Sequence, residues 1–372
     1  MYDAIVVGAR CAGAPTAMLL AREGHKVLLL DRDEFPSDIM STHFIHLAGK
    51  VLLHRWGLLD RVLATDVPPI PKSNLHFGDV VMTAPPLPMP DGLDAQAICP
   101  RRYILDKILI DAAVEAGAEF RQGVSVRELI RDGDMVVGVR GHAKDKAPVE
   151  ERARIVIGAD GMHSVVAREV GAEEYDTKPT LTFGYYAYWA GVSDPEMHIY
   201  FFEDTRGVLS FPTHDGLSCI GVGGAIENFH EFRKDIEGNY MSVVERVPEL
   251  AAAMRAGGRK ERFIGTADQP NFFRVPYGPG WALVGDAGYH RDFLTGLGIT
   301  DAFRDAALLS QALHEGFSET RPMEEALAGY QAKRDEIARP LYDFTTKMAS
   351  GVMPEAIDFM TFGAAMARMI NS

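Results

Sequence analysis

Three carboxylates stand where apolar runs end beside glycines: Asp31 after Val27-Leu28-Leu29-Leu30, Asp160 after Ile155 to Ala159, and Asp286 after Val284-Gly285. At the end of a strand, a carboxylate can accept hydrogen bonds from the hydroxyls of a ribose or another polyol. Upstream, Gly8-Ala9-Arg10-Cys11-Ala12-Gly13 joins the apolar run Tyr2 to Val7 to a helix expected from about Ala12. Gly8 permits a tight turn, and Gly13 lets helix and strand approach. The helix start offers free N–H groups and a positive dipole end to a pyrophosphate. Asp31 follows Gly8 by 23 positions, and that spacing predicts a dinucleotide-binding unit. Arg10 replaces the middle glycine of the fingerprint. It either moves the pyrophosphate outward or adds a charge beside it.

Two further glycine motifs follow expected strands and open helices. They are Gly158-Ala159-Asp160-Gly161 and Gly285-Asp286-Ala287-Gly288, the latter trailed by Gly296-Leu297-Gly298-Ile299. A nicotinamide dehydrogenase has no need of a second carboxylate over a polyol, whereas FAD carries a ribityl chain between its pyrophosphate and its ring. A helix starting at Gly298 can aim its N–H groups at an electron-rich ring edge.

Acid–base candidates are histidines, which titrate near neutral pH. His43, His46, His214 and His290 fall near the expected pocket. His43 follows the loop that should pass the flavin ring, and His214 sits at a strand turn, so these two are the stronger candidates. Tyr185, Tyr186, Tyr188 and Trp189 alternate along one strand. They read either as sheet core or as a wall for a flat, greasy substrate. Cys11 reads as a small packing residue rather than a redox thiol.

The elements that must position these groups suit 372 residues with 47% apolar content. A net charge of −14 argues against a nucleic-acid binder. Cys11, Cys99 and Cys219 are isolated, so no disulfide framework or metal site is expected, and a cytoplasmic setting is. A strand at the second residue predicts no signal peptide. No apolar run is long enough to span a membrane. The Met-rich tail Ala349 to Ile370 should dock as a helix.

Helix is expected over His43 to Leu63 with a break at Gly57, over Arg102 to Ala116, over Met241 to Ala256 and from Gly298 to His314. Strand is expected over Asn74 to Met82, through a meander from Glu119 to Gly158, in runs from Thr180 to Gly223, and over Phe272 to Val284. The fold class is α/β: a Rossmann-like FAD-binding domain with an inserted β-sheet substrate domain and C-terminal helices. Its expected boundaries are 1–72, 97–177 and 270–320 for the FAD domain, 73–96 and 178–269 for the substrate domain, and 321–372 for the helices.

Taken in order, the fingerprint, Asp31-Arg32, Arg102 at a helix start, Asp160-Gly161 and Gly285-Asp286 resemble the class A FAD monooxygenases (flavoprotein aromatic hydroxylases) and the related geranylgeranyl reductases. The resemblance implies that Gly8, Arg10, Cys11, Ala12 and Gly13 frame the pyrophosphate turn. Asp31 would hold the adenosine ribose, with Arg32 beside the adenine. Arg102 would reach the pyrophosphate or ribityl region, and Val126 would touch the adenine through its backbone. Asp160 would hold the FAD domain together and influence NAD(P)H use. Asp286 would bind the ribityl hydroxyls, and Gly298 and Ile299 would face the pyrimidine edge. Tyr289 and Phe293 stand where that family has His and Pro. Phe293 thus lies where oxygen chemistry occurs. The paired tryptophans of flavin halogenases are absent.

The activity so implied is monooxygenation. NAD(P)H, a transient co-substrate, reduces the flavin, dioxygen adds to the reduced ring, and the distal oxygen passes to an aromatic or hydrophobic small molecule. His43, His214 and Phe293 are the candidate catalytic residues, and a monomer or homodimer is expected. Three alternatives remain: a reductase or dehydrogenase of a lipid-like prenyl substrate, a non-catalytic ligand-binding flavoprotein, and an NAD-only dehydrogenase.

Overall fold

The computed structural model describes residues 1–85 and 87–371. Tyr2–Val7 is apolar along most of its length because both its faces are covered. Ala4 and Val6 join one core cluster, Ile5 and Val7 another. This strand lies mid-sheet, parallel to Val27–Leu30 on one side and to Pro148–Gly158 on the other. Glu119–Arg121 and Trp281–Leu283 extend the sheet outward, and Tyr277–Gly278 adds an antiparallel edge. The hairpin Val124–Asp132/Met135–Ala143 pairs with the outer half of Pro148–Gly158. Helices Gly13–Arg22, Arg102–Glu115 and Gly298–Phe317 cover the Ala4/Val6 face.

A second sheet runs in the order Ile264–Thr266, Thr182–Trp189, Ser218–Ala225, Gly207–Pro212, Met197–Phe201, Ser73–Phe77, Val80–Thr83. Side chains of a strand alternate between faces, and that splits the aromatic run expected to act together. Phe183, Tyr185 and Trp189 pack toward the helices Ile236–Val244 and Pro248–Gly257. Tyr186 and Tyr188 face the other way, with Phe211 and Cys219, onto Phe44, Ile70, Ala97 and Cys99.

Several element boundaries differ from expectation. Asn74 to Met82 is a hairpin, because Gly78 at φ 58° turns the chain. The helix expected over Met241 to Ala256 is two, the second starting at Pro248, where a proline needs no N–H partner. Phe272 to Val284 is three short strands. The helix expected from His43 begins at Leu47, because Ile45 bridges Ile98 instead. The tail forms the helix Ala356–Asn371, whose Ala365, Met366, Met369 and Ile370 pack on Ala48, Val51, Ile337 and Leu341.

Candidate active site

The fingerprint turn is shaped by contacts that only glycine allows. Gly8 has φ 102°, and a Cβ there would lie 2.4 Å from the Ala159 carbonyl oxygen. A Cβ on Gly13 would lie 1.7 Å from the Gly8 carbonyl oxygen. The turns after Tyr2–Val7 and Pro148–Gly158 therefore touch backbone to backbone. Asp160 keeps its oxygens within the second turn. It accepts from the Ser164 hydroxyl and from Val165 N–H at 2.6 Å, which fixes the start of helix Val165–Val170. Asp31 is buried, and it accepts from Ala9 N–H at 2.7 Å and Asp33 N–H at 2.8 Å. Val124 N–H donates to the Asp31 carbonyl, which sets Val126 two residues along the adjoining strand. Arg32 is exposed.

Arg10 does not occupy the space its fingerprint glycine would leave open. It reaches sideways, donating to Asp106 at 2.7 Å, Asp33 at 2.9 Å and Ser37 Oγ at 3.0 Å. Asp106 is fully buried and also accepts twice from Arg102, at 3.1 Å each, and from the Cys11 thiol at 3.4 Å. Burial pushes the Cys11 thiol pKa up, so it stays protonated. Sequence reasoning missed Asp106, yet a signal exists: it stands four residues after Arg102 on the apolar face shared by Leu105 and Leu109.

Asp286 is exposed although Gly285 and Ala287 on either side are buried. Burial nonetheless raises its pKa, with His290, Arg102 and Arg291 acting in the opposite sense. Both observations hold for a carboxylate lining a recess: solvent reaches it, but protein surrounds it. Gly298 is likewise exposed between the buried Leu297 and Ile299. It starts a 20-residue helix that no side chain caps. Gly13 also opens a helix without a side-chain cap. A cramped turn, two uncapped helix starts and a reachable carboxylate fit the pyrophosphate, ribityl and ring edge of FAD.

The turn between Asp286 and Gly298 is tied down on both sides. Asp292 accepts from Leu294 N–H and from the Thr182 hydroxyl at 2.6 Å, joining the turn to the second sheet. Phe293 lies against that sheet, its Cζ 2.7 Å from where a Cβ on Gly184 would stand. His46 bonds the Thr295 carbonyl at 2.9 Å, and burial pushes its pKa down to about 4. His290 bonds the Pro270 carbonyl.

His43 is buried, and its Nδ1 faces the Cys99 carbonyl at 3.3 Å. The Cys99 sulfur lies closer to Nδ1, at 2.9 Å, and its thiol also reaches the Thr42 carbonyl at 3.2 Å. With the thiol proton on Thr42, Nδ1 carries the ring proton and Nε2 accepts from the Tyr188 hydroxyl at 2.7 Å. Burial, with the Arg101 charge nearby, pushes the His43 pKa down to about 3. The Arg101 guanidinium lies 3.8 Å over the Tyr188 ring and pairs with Asp38 and Glu261. His214 is bonded on both nitrogens: Nδ1 accepts from Arg101 N–H at 3.2 Å, and Nε2 meets the Thr65 hydroxyl at 2.8 Å. It thus holds the strand end ahead of Arg101. His43 and His214 stand in one network around Arg101, while Phe293 stands apart from it at the cofactor turn. Among the described residues no group of His, Cys, Asp or Glu is arranged to hold a metal ion. Nor is any helix among the described residues long and apolar enough to cross a membrane.

Fold and site define an FAD-dependent oxidoreductase with the architecture of the aromatic hydroxylases. The chain belongs to the family described as FAD binding domain, whose model matches residues 1–345. It is 26% identical over 395 residues to digeranylgeranylglycerophospholipid reductase 1 of Methanopyrus kandleri, covering 100% of this chain and 97% of that protein. Two solved structures share the fold. One is the myxobacterial chondrochloren halogenase CndH, with a TM-score of 0.86 at 20% identity, covering 100% of this chain and 90% of that one. The other is PqsL of Pseudomonas aeruginosa, described as a probable FAD-dependent monooxygenase, with a TM-score of 0.79 at 20% identity, covering 98% and 99%.

Proposed function

We propose that this chain is an NAD(P)H-dependent monooxygenase of an aromatic or polycyclic small molecule, with residues 73–96 and 178–269 forming the substrate side. The observation that carries this reading is a buried aromatic cluster of the second sheet that reaches the turn expected to hold the cofactor. Tyr186, Tyr188 and Phe211 of the second sheet pack with Phe44. Phe44 in turn stacks edge-on to His46 at 4.7 Å and lies 3.8 Å from the Cβ position of Gly296. Bound FAD would accept hydride from NAD(P)H and pass electrons to dioxygen. The chain's part is to exclude water and orient a flat substrate. In this reading His43 works as a neutral group that polarises the Tyr188 hydroxyl rather than as a titrating base.

The test is to supply the FAD-loaded protein with NADPH or NADH, a panel of phenols and polycyclic aromatics, and isotope-labelled dioxygen. One labelled oxygen atom per product molecule is expected, with matching NAD(P)H consumption. A product that gains two hydrogens and no label, under argon as well as air, would favour reduction of a prenyl-type chain. Two observations support that second reading: the full-length likeness to the Methanopyrus reductase, and Phe293 in place of the family's proline.

A further inference from the structure

Opposed residues of neighbouring strands point to the same face of a sheet. In the second sheet one such row runs Tyr186, Gly221, Leu209, Ile199, Leu75, Met82, each paired with the next. The row beside it runs Gly184, Gly223, Gly207, Phe201, Phe77, Val80. The other face of these strands is sealed. There Val208, Ile220 and Val222 are at most 2% exposed, under the helices Ile236–Val244 and Pro248–Gly257. This face is open. Gly221, Leu209, Ile199 and Leu75 are only half-buried, and at the sheet edge Met82 and Val80 are 39% and 60% exposed. Neither row holds a charge, and the Tyr186 hydroxyl already accepts from Ser41 N–H. The inner end of this strip meets the cofactor turn, where the Phe293 ring lies against Gly184. Its outer end stays apolar beyond the sheet. A Cβ on Gly351 would lie 3.5 Å from Thr205 in the turn after Phe201, and Val352 and Met353 next to it are exposed. Five interstrand steps separate Thr182–Trp189 from Val80–Thr83, about 24 Å at the usual spacing.

We propose that the substrate carries a long, unfunctionalised apolar chain. The chain lies across the second sheet along Gly221, Leu209, Ile199 and Leu75, with the reacting group at the Phe293 end. The strip offers apolar contact and nothing to a polar group, which selects that class of occupant. Gly221 and Leu209 lie too deep for the surface of a folded partner, whereas a chain one carbon wide reaches them. The proposal rests on the second sheet being the substrate side and not on oxygen insertion, since a reductase would place such a chain in the same way.

Titration calorimetry of the FAD-loaded protein with para-alkylphenols, from ethyl to dodecyl and below their micellar concentrations, tests it. The dissociation constant should fall about twofold to fourfold per added methylene until the chain reaches the Met82 edge. Ile199→Asp puts a charge into the strip at a half-buried position. It should weaken dodecylphenol binding at least tenfold and leave ethylphenol binding within about twofold of wild type. Gly221→Phe fills the floor at a position where a Cβ meets nothing closer than 3.6 Å. It stands two strands nearer to Phe293 than Ile199 does, so it should end the gain at a shorter chain. Wild-type affinity that does not depend on chain length, or a wild-type slope in both variants, would overturn the proposal. If Gly221→Phe does not fold, Ile199→Asp with unchanged dodecylphenol affinity does so alone. Chain-dependent binding that both variants cut short, together with product free of labelled oxygen, would support this proposal and count against the monooxygenase reading.

Discussion

Asp286 and Arg10 make opposite kinds of contribution. Asp286 keeps its carboxylate available to a ligand, so Asp286→Ala should leave the fold intact and weaken FAD binding at least tenfold in a fluorescence titration. A hydrogen bond to a charged group is worth about 1.5–3 kcal/mol, which supports that size. Arg10 is consumed by the protein. It straps Asp33 and Ser37 to Asp106. Arg10→Gly restores the fingerprint residue yet should lower urea-melt stability by on the order of 2 kcal/mol, because the buried Asp106 loses a charged donor. It should also speed FAD release, since the 33–37 loop then lacks its anchor. Unchanged stability would mean that Arg102 satisfies Asp106 alone. The glycines and Asp31 were legible in the sequence because backbone geometry dictates them residue by residue. Asp106 carried a signal in its place four residues after Arg102, but its pairing with Arg10 was not legible, because a charge announces itself in sequence and its long-range partner does not.

At the scale of elements, one contact couples the two sheets to the cofactor turn. Gly184 leaves room for the Phe293 ring, and a methyl there would meet it at 2.7 Å. Gly184→Ala should therefore cost about 1–3 kcal/mol in chemical unfolding, by overpacking. Phe293→Leu should give part of that back in the double variant, a coupling that a thermodynamic cycle reads directly. Additive costs would show that the ring simply moves aside. The long, periodic elements here were legible: Arg102–Glu115, the meander to Gly158, and the helix from Gly298. What escaped were elements set by tertiary contact. Tyr277–Gly278 exists only because Trp281–Leu283 pairs with it. The hairpin at Gly78-Asp79 did carry a local signal, a Gly-Asp pair between apolar runs.

For the whole molecule, acidity is the revealing variable. His43 and His46 are held neutral, with pKa values pushed down to about 3 and about 4. An unfolded histidine takes a proton near pH 6.5. Below that value the unfolded chain binds protons that these two folded histidines refuse, so their contribution to stability falls as pH drops from about 6.5 toward the folded values. Each such histidine costs about 1.4 kcal/mol per pH unit within that window. His43→Gln should lose stability at pH 7, where a hydrogen bond is removed. It should lose less than wild type on going from pH 7 to pH 5, as urea midpoints at the two values would read. Equal slopes would mean that His43 protonates in the folded state after all.

The first strand lies between a neighbour that follows at once, Val27–Leu30, and one that comes only at Pro148–Gly158. On the ribosome the fingerprint emerges with one apolar edge bare, and it stays so until more than a hundred further residues are made. Asp286 and the helix from Gly298 arrive later still. FAD should thus be captured only once the chain has been made through Gly298, not when the fingerprint first emerges. An arrested nascent chain ending before Gly285 should bind chaperone rather than flavin, a difference that pull-down of stalled ribosomes can detect.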